Sequence, residues 1–216
     1  MKPNDKNEDV LKYTNKYSLS FTAASALIPE TISIAQIFVN EKDWNIVFEE
    51  VSKNNLLHKN KKTTLLREFN EIKKRLKNLN QMELEILANS NTQETKWMIH
   101  LSLLKTYTFY ADFVSEVIRG KLNKFEFSVK DNDYSRFFEE KSYTHTELTS
   151  ISEKTQNKLK QVIFKMLVQV GIISDIENKV ITKPFLSENI LKMIQSDNLH
   201  WLKGFLYTDI EIKYLN

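Results

Sequence analysis

Residues 53–77 read KNNLLHKNKKTTLLREFNEIKKRLK, and this stretch sets how the other predicted elements must pack. Its apolar residues recur at three- and four-residue spacing, which predicts a helix with one buried face. These residues are Leu65, Phe69, Ile72, Leu76 and then Leu79. The stretch therefore predicts an amphipathic helix whose apolar stripe must be covered by other elements.

The outer face of this predicted helix is basic. Residues 53–77 contain nine Lys or Arg and two Glu, a net charge of +7 in a chain whose total is +3. A cationic outer face is typical of a helix that binds a polyanion, and it is also common on ordinary surface helices. The side chains that we expect in solvent are Arg67, Asn70, Lys73, Lys74 and Lys77.

The composition of the chain indicates an all-α globular fold. Of the 216 residues, 41% are hydrophobic, and only three are Gly and three are Pro. So few turn-forming residues favour long helices over turn-rich strands, and they exclude a Gly-rich phosphate loop or a dinucleotide-binding fold. No apolar run is long enough to span a bilayer and no signal peptide is evident, so we expect a cytoplasmic protein.

Four regions follow from the pattern of helices and breaks. Residues 1–16 are predicted to be a flexible N-terminus. Residues 17–80 form an N-terminal helical region that resembles a helix-turn-helix, and residues 81–142 form a central helical bundle. Residues 143–216 form a C-terminal region that resembles a winged helix-turn-helix. These regions pack as one or two compact units.

The central region is predicted to hold one long helix from about Thr92 to Lys121, with Gly120 as its stop signal.

In residues 53–77, Arg75 is expected to pair with Glu71 one helical turn away.

The C-terminal region has the element order of a winged helix-turn-helix. A short helix over 144–150 precedes a helix over Thr155–Val170, which Gly171 ends. Short apolar pairs on either side of a polar turn then predict a small β-hairpin wing near 172–182. In DNA-binding proteins of this type, one helix of the motif contacts the DNA.

Two sets of side chains are therefore candidates for binding duplex DNA through its phosphates and base edges. The alternative is that each set is only a solvated helix face. The first set is Lys59, Lys61, Lys62, Thr63, Arg67 and Lys74. The second set is Lys154, Gln156, Lys158, Gln161 and Lys165.

Nothing in the sequence indicates catalysis. The four histidines are scattered without the spacing of a metal site, and there are no cysteines. Asp112 and Glu116 lie one helical turn apart, but ion pairing with nearby basic residues explains them as well as acid–base chemistry does. We therefore predict no catalytic residue, no metal, no cofactor and no enzymatic activity.

Several phrases together resemble the BrxA family, a core component of bacteriophage-exclusion (BREX) defence systems. The resemblance covers nearly the whole chain, from about Tyr17 to Phe205, and depends on the order and spacing of the phrases. They are Tyr17–Leu27, Asp43–Trp44, Asn55–Leu57, Arg75–Leu76, Phe113–Arg119, Asp133–Phe137 and Thr155–Leu167.

The resemblance implies an all-α fold with helix-turn-helix elements and a non-enzymatic DNA-binding role beside methyltransferase and ATPase components. Expected partners are double-stranded DNA and other BREX subunits, with no membrane insertion, although family members have been labelled inner-membrane proteins. A monomer is favoured. Two other functions stay open: a scaffold whose basic faces bind acidic partner subunits, and an RNA-binding protein like helical antitermination factors.

Overall fold

The computed structural model describes residues 16–215. The N-terminal segment predicted to be flexible, residues 1–16, lies outside the described residues except for Lys16. The description below concerns residues 16–215 throughout.

The described chain is helical, which confirms the predicted all-α fold. The helices of its first half are α1 Ile28–Glu41, α2 Trp44–Lys53, α3 Lys62–Leu76, α4 Gln81–Asn89, α5 Thr92–Thr106, α6 Thr108–Asp112 and α7 Arg119–Asn123. Those of its second half are α8 Asp131–Ser142, α9 Thr146–Thr149, α10 Glu153–Val170, α11 Glu188–Asp197 and α12 Asp209–Tyr214. A π-helical segment, Phe113–Ile118, joins α6 to α7, and 3-10 turns cover Ser20–Ala23 and Leu199–Lys203.

Helix α3 buries the face that its sequence predicts. Leu65, Phe69, Ile72 and Leu76 are all buried. Each fully buried side chain of this kind contributes about 1.5–3 kcal/mol relative to an exposed one. Helix α5 is the central helix, because it is buried around almost its whole circumference from Trp97 to Leu104.

Arg75 is completely buried on α3, and the predicted pairing with Glu71 is wrong. Its guanidinium donates instead to the carbonyl oxygens of residues 24–26, at 3.0, 2.7 and 3.2 Å, and to the Tyr107 hydroxyl at 2.9 Å. The physical reason is that residues 24–26, in the loop before α1, have carbonyls without helical partners. A buried guanidinium has enough N–H donors to satisfy these carbonyls. Glu71 binds the same Tyr107 hydroxyl from the other side, so the two charges are joined through Tyr107.

The single long helix predicted over Thr92–Lys121 is also wrong. Helix α5 ends at Thr106, because Tyr107 adopts an extended backbone that directs its hydroxyl to Arg75 and Glu71. Helical structure resumes at Thr108 and passes through Gly120 to Asn123. Gly120 does not end the helix, because its backbone does not take the left-handed conformation found at Gly171, where φ is 81°.

The predicted wing consists of isolated bridges in the described chain. Ile173 pairs with Ile181 and Ser128 pairs with Val180, both antiparallel. The extended segment near Ser128 thus lies against the pairing segment from the C-terminal region, and it ties the central region to that region.

His100 links α5 to the C-terminal part of the fold. Its ring is fully buried, with Nε2 2.9 Å from the Gly204 carbonyl oxygen and Nδ1 3.0 Å from the Tyr110 hydroxyl. Burial is the main cause that lowers the pKa of His100 to about 4. The neutral ring therefore donates from Nε2 to the carbonyl and accepts at Nδ1 from Tyr110.

Replacing Gly204 by Ala should destabilise the fold. A Cβ there would lie 2.3 Å from Cδ1 of Leu104, a buried side chain that has little room to move. We expect Gly204→Ala to lower stability by about 1–3 kcal/mol, measured by thermal or urea unfolding. Gly120→Ala is the matched control, because a Cβ there meets nothing within 4 Å, and it should leave stability unchanged or raise it. Equal effects of the two substitutions would contradict the packing argument.

The pH dependence of stability should report on His100. Its pKa is about 4 in the folded chain against 6.5 in the unfolded one, so the unfolded state binds the proton first. The contribution is fully present above pH 6.5 and is lost as the pH falls from 6.5 to 4, about 3 kcal/mol in total. Urea unfolding at several pH values should show a shallower dependence over this window in His100→Gln, and parallel curves would contradict the prediction.

Candidate nucleic-acid interface

The N-terminus of α3 presents an unusual concentration of positive charge. Lys61, Lys62, Thr63 and Arg67 are all exposed, and none of the three basic ones forms an ion pair within residues 16–215. Helix α3 has no acidic residue in its first turn and no side-chain cap. Cations are unfavourable at the positive end of a helix dipole, whereas an anion bound there is stabilised.

Two residues of the first candidate set already have partners. Lys59 lies 3.0 Å from a carboxylate oxygen of Glu68, which is itself 8% exposed. Lys74 donates to the hydroxyls of Ser18 and Ser20 at 2.7 and 3.0 Å and lies over the Tyr107 ring. Lys74 therefore holds residues 18–20 against α3, and its charge is less available to a ligand than that of Arg67.

Helix α10 carries the second candidate set. The Ser152 hydroxyl caps the helix by accepting from the Thr155 N–H, and α10 buries an apolar face on the core. The candidates on its outer side are exposed, and none forms an ion pair or side-chain hydrogen bond with another described residue. They are Lys154, Lys158, Gln161 and Lys165.

Gln156 does not lie with the other members of its set. It lies two residues before Lys158, which places it about 200° away around the helix axis. It lines a separate depression of about 330 Å³ with Tyr134, Phe138 and Lys160. A ligand on the Lys158 side of α10 would not contact it.

The two basic regions meet in one groove. A concavity of about 490 Å³ is lined by Lys59 on one side and by Lys158 and Lys165 on the other, and we call it the basic groove. The segment 24–29 also lines the groove, and this segment is anchored to α10 where the Ala26 N–H donates to the Gln169 side chain at 3.0 Å. Cations from distant parts of the sequence are thereby brought to a single surface.

Two carboxylates in the basic groove were missed by the sequence reasoning. Glu30 and Glu68 both line it. Glu68 had a detectable signal, because it falls in phase with the apolar stripe, three residues after Leu65 and four before Ile72. A charged residue at such a position indicates a buried ion pair or hydrogen bond.

No helix within residues 16–215 combines the length and the apolar character required to cross a membrane.

Comparison with known proteins gives consistent results. The family model BrxA matches residues 15–198. Curated relatives called BREX protein BrxA include one from Bacillus cereus, 27% identical over 63% of this chain and 66% of its own length. Another, from Paramagnetospirillum magneticum, is 20% identical over 85% of this chain and 92% of its own length.

A solved structure shares the fold. The crystal structure of an uncharacterized protein from Magnetospirillum magneticum superimposes with a TM-score of 0.76 at 18% identity, over 89% of this chain and 98% of that one. The family match covers most of the chain and confirms the resemblance drawn from its sequence phrases. The chain belongs to the BrxA family, the family of these BREX proteins.

Proposed function

We propose that this protein is a non-enzymatic, DNA-binding accessory component of a BREX anti-phage defence system. It binds duplex DNA largely through the phosphate backbone and assists the complex that methylates host DNA and excludes phage. It acts in the cytoplasm, as a monomer that contacts other BREX subunits.

The convergence in the basic groove is the observation that carries this proposal. Lys158 and Lys165 of α10, which have no ion pair within residues 16–215, share that groove with Lys59 of the basic stretch that precedes α3, whose charge Glu68 offsets. Lysines that only keep a helix face in solvent need not lie near lysines of another element. Binding to a DNA strand, whose phosphates are continuous, requires cations placed along one path.

The electrostatics of α3 support the same function. Lys61 and Lys62 stand at the positive end of the helix dipole without an acidic neighbour in the first turn. In the free protein each such cation is unfavourable by about 0.3–1 kcal/mol. A phosphate at this helix terminus would accept from its free N–H groups and neutralise both lysines.

The exposed side chains of α3 and α10 favour affinity for phosphate over recognition of the base sequence. Lysine neutralises phosphates as a point charge, whereas the planar groups of arginine, asparagine and glutamine suit bidentate recognition of base edges better. Arg67 and Gln161 are the candidates of that type left on this surface, since Gln156 faces elsewhere. We propose that α10, which precedes the bridged wing segments, contacts the duplex with weak sequence preference.

The salt dependence of binding tests the proposal. Seven cations of the two sets have no ion pair within residues 16–215, and one of them, Lys74, is hydrogen-bonded to Ser18 and Ser20. The other six predict a slope of about −5 in a plot of log affinity against log salt concentration. Replacing Lys158 and Lys165 together by Gln should make that slope shallower by about two. The measurement is fluorescence anisotropy of a labelled duplex over a range of salt concentrations.

The matched control replaces Lys124 and Lys213 by Gln. Both are exposed lysines outside the basic groove, and the change in net charge is the same. This control should keep the slope of the unmodified protein. Undetectable duplex binding at low salt, or equal slopes in both variants, would contradict the proposed interface.

A protein-interaction role is the second candidate, and an exposed apolar patch favours it. Phe125, Phe127 and Ile210 are 82%, 57% and 69% exposed and line one depression. Contiguous exposed apolar surface is typical of protein-binding sites. Co-purification with BREX subunits that survives nuclease treatment, in a protein without duplex binding, would support this role. Competition by single-stranded RNA in the anisotropy assay would distinguish the RNA-binding alternative.

A further inference from the structure

The two walls of the basic groove differ in their free charge. On the α10 wall, Lys158 and Lys165 form no ion pair with any residue in 16–215. On the opposite wall, the Lys59 ammonium lies 3.0 Å from the Glu68 carboxylate. Both lysines of one wall are available to a phosphate, while the lysine of the other wall is already neutralised.

Glu68 is held in the groove by its surroundings. It is 8% exposed, and α3 fixes its backbone between the buried residues Leu65 and Ile72. Its Oε2 is buried without a hydrogen bond of good geometry, so the ion pair with Lys59 is the contact that offsets its charge. Lys59 therefore cannot turn to a phosphate without leaving a nearly buried carboxylate unpaired.

We propose that Glu68 limits the affinity of the basic groove for nucleic-acid phosphate by neutralising Lys59 and by placing a negative charge beside the phosphate path. This inference rests on the proposed function. The phosphate chain then lies against the α10 wall, and Lys59 adds little to binding while Glu68 is charged. Glu68 is a residue that tunes affinity, and its removal converts Lys59 into an additional phosphate contact.

The test is Glu68→Gln, which keeps the shape of the side chain and removes its charge. We expect duplex binding to tighten by roughly tenfold near 0.1 M salt, and the salt slope to steepen by about one, because one more counterion is released. Fluorescence anisotropy over a salt range measures both quantities. Unchanged affinity and unchanged slope in a folded Glu68→Gln protein would overturn the inference.

The control is Glu50→Gln, which makes the same change of charge at an exposed position of α2 outside the groove. Any tightening shared by both variants is a long-range effect of net charge, and an equal effect in the two would also overturn the inference. Circular dichroism with thermal unfolding checks that each variant is folded.

A double variant keeps the inference falsifiable if Glu68→Gln alone fails to fold. Replacing Lys59 by Met and Glu68 by Gln removes a pair that is already neutral, so affinity and salt slope should stay near those of the unmodified protein. A loss as large as that of Lys158→Gln would show that Lys59 contacts phosphate despite Glu68, and would overturn the inference. If the unmodified protein binds no duplex, the proposed function fails instead, which is a separate result.

Discussion

The buried guanidinium of Arg75 is the constraint on which the rest of the structure depends. A charge removed from water is tolerated only when its donors are satisfied and an opposite charge is near. Here the donors bind the carbonyls of residues 24–26 and the hydroxyl of Tyr107, and Glu71 binds that same hydroxyl. One side chain of α3 thus fixes a loop and determines where α5 ends.

The same constraint builds the basic groove. The loop that Arg75 holds, residues 24–26, is the first part of segment 24–29, which lines the groove and is attached to α10 through Gln169. Because the loop is fixed on one side by α3 and on the other by α10, the two basic helices are held at a set separation. Arg75 makes no contact with the groove ligands that we propose, yet it sets the geometry in which Lys59 faces Lys158.

The local rules of helix formation were sufficient to predict much of the fold from the sequence. The apolar period of α3, the Ser152 cap of α10 and the left-handed Gly171 that ends it all depend on residues within a few positions of each other. The break at Tyr107 depends on a hydrogen bond to a residue of another helix, which periodicity does not encode. Of the candidate site, the free cations were predictable by helical phase, whereas the partners of Lys59 and Lys74 and the separate position of Gln156 depend on tertiary packing.

The charge at the N-terminus of α3 differs from that at most other helices of the described chain. Helices α4, α5, α10 and α11 each have an acidic residue in the first turn, as the helix dipole favours. Helix α3 instead begins with Lys62, follows Lys59 and Lys61, and lies beside the basic groove. Helices α2, α6 and α7 also lack an acidic residue in the first turn. Helix α3 combines that lack with lysines at its start, so it gives up local stability there. In the proposed complex with DNA, a phosphate at this terminus would offset the lysine charges and restore that stability.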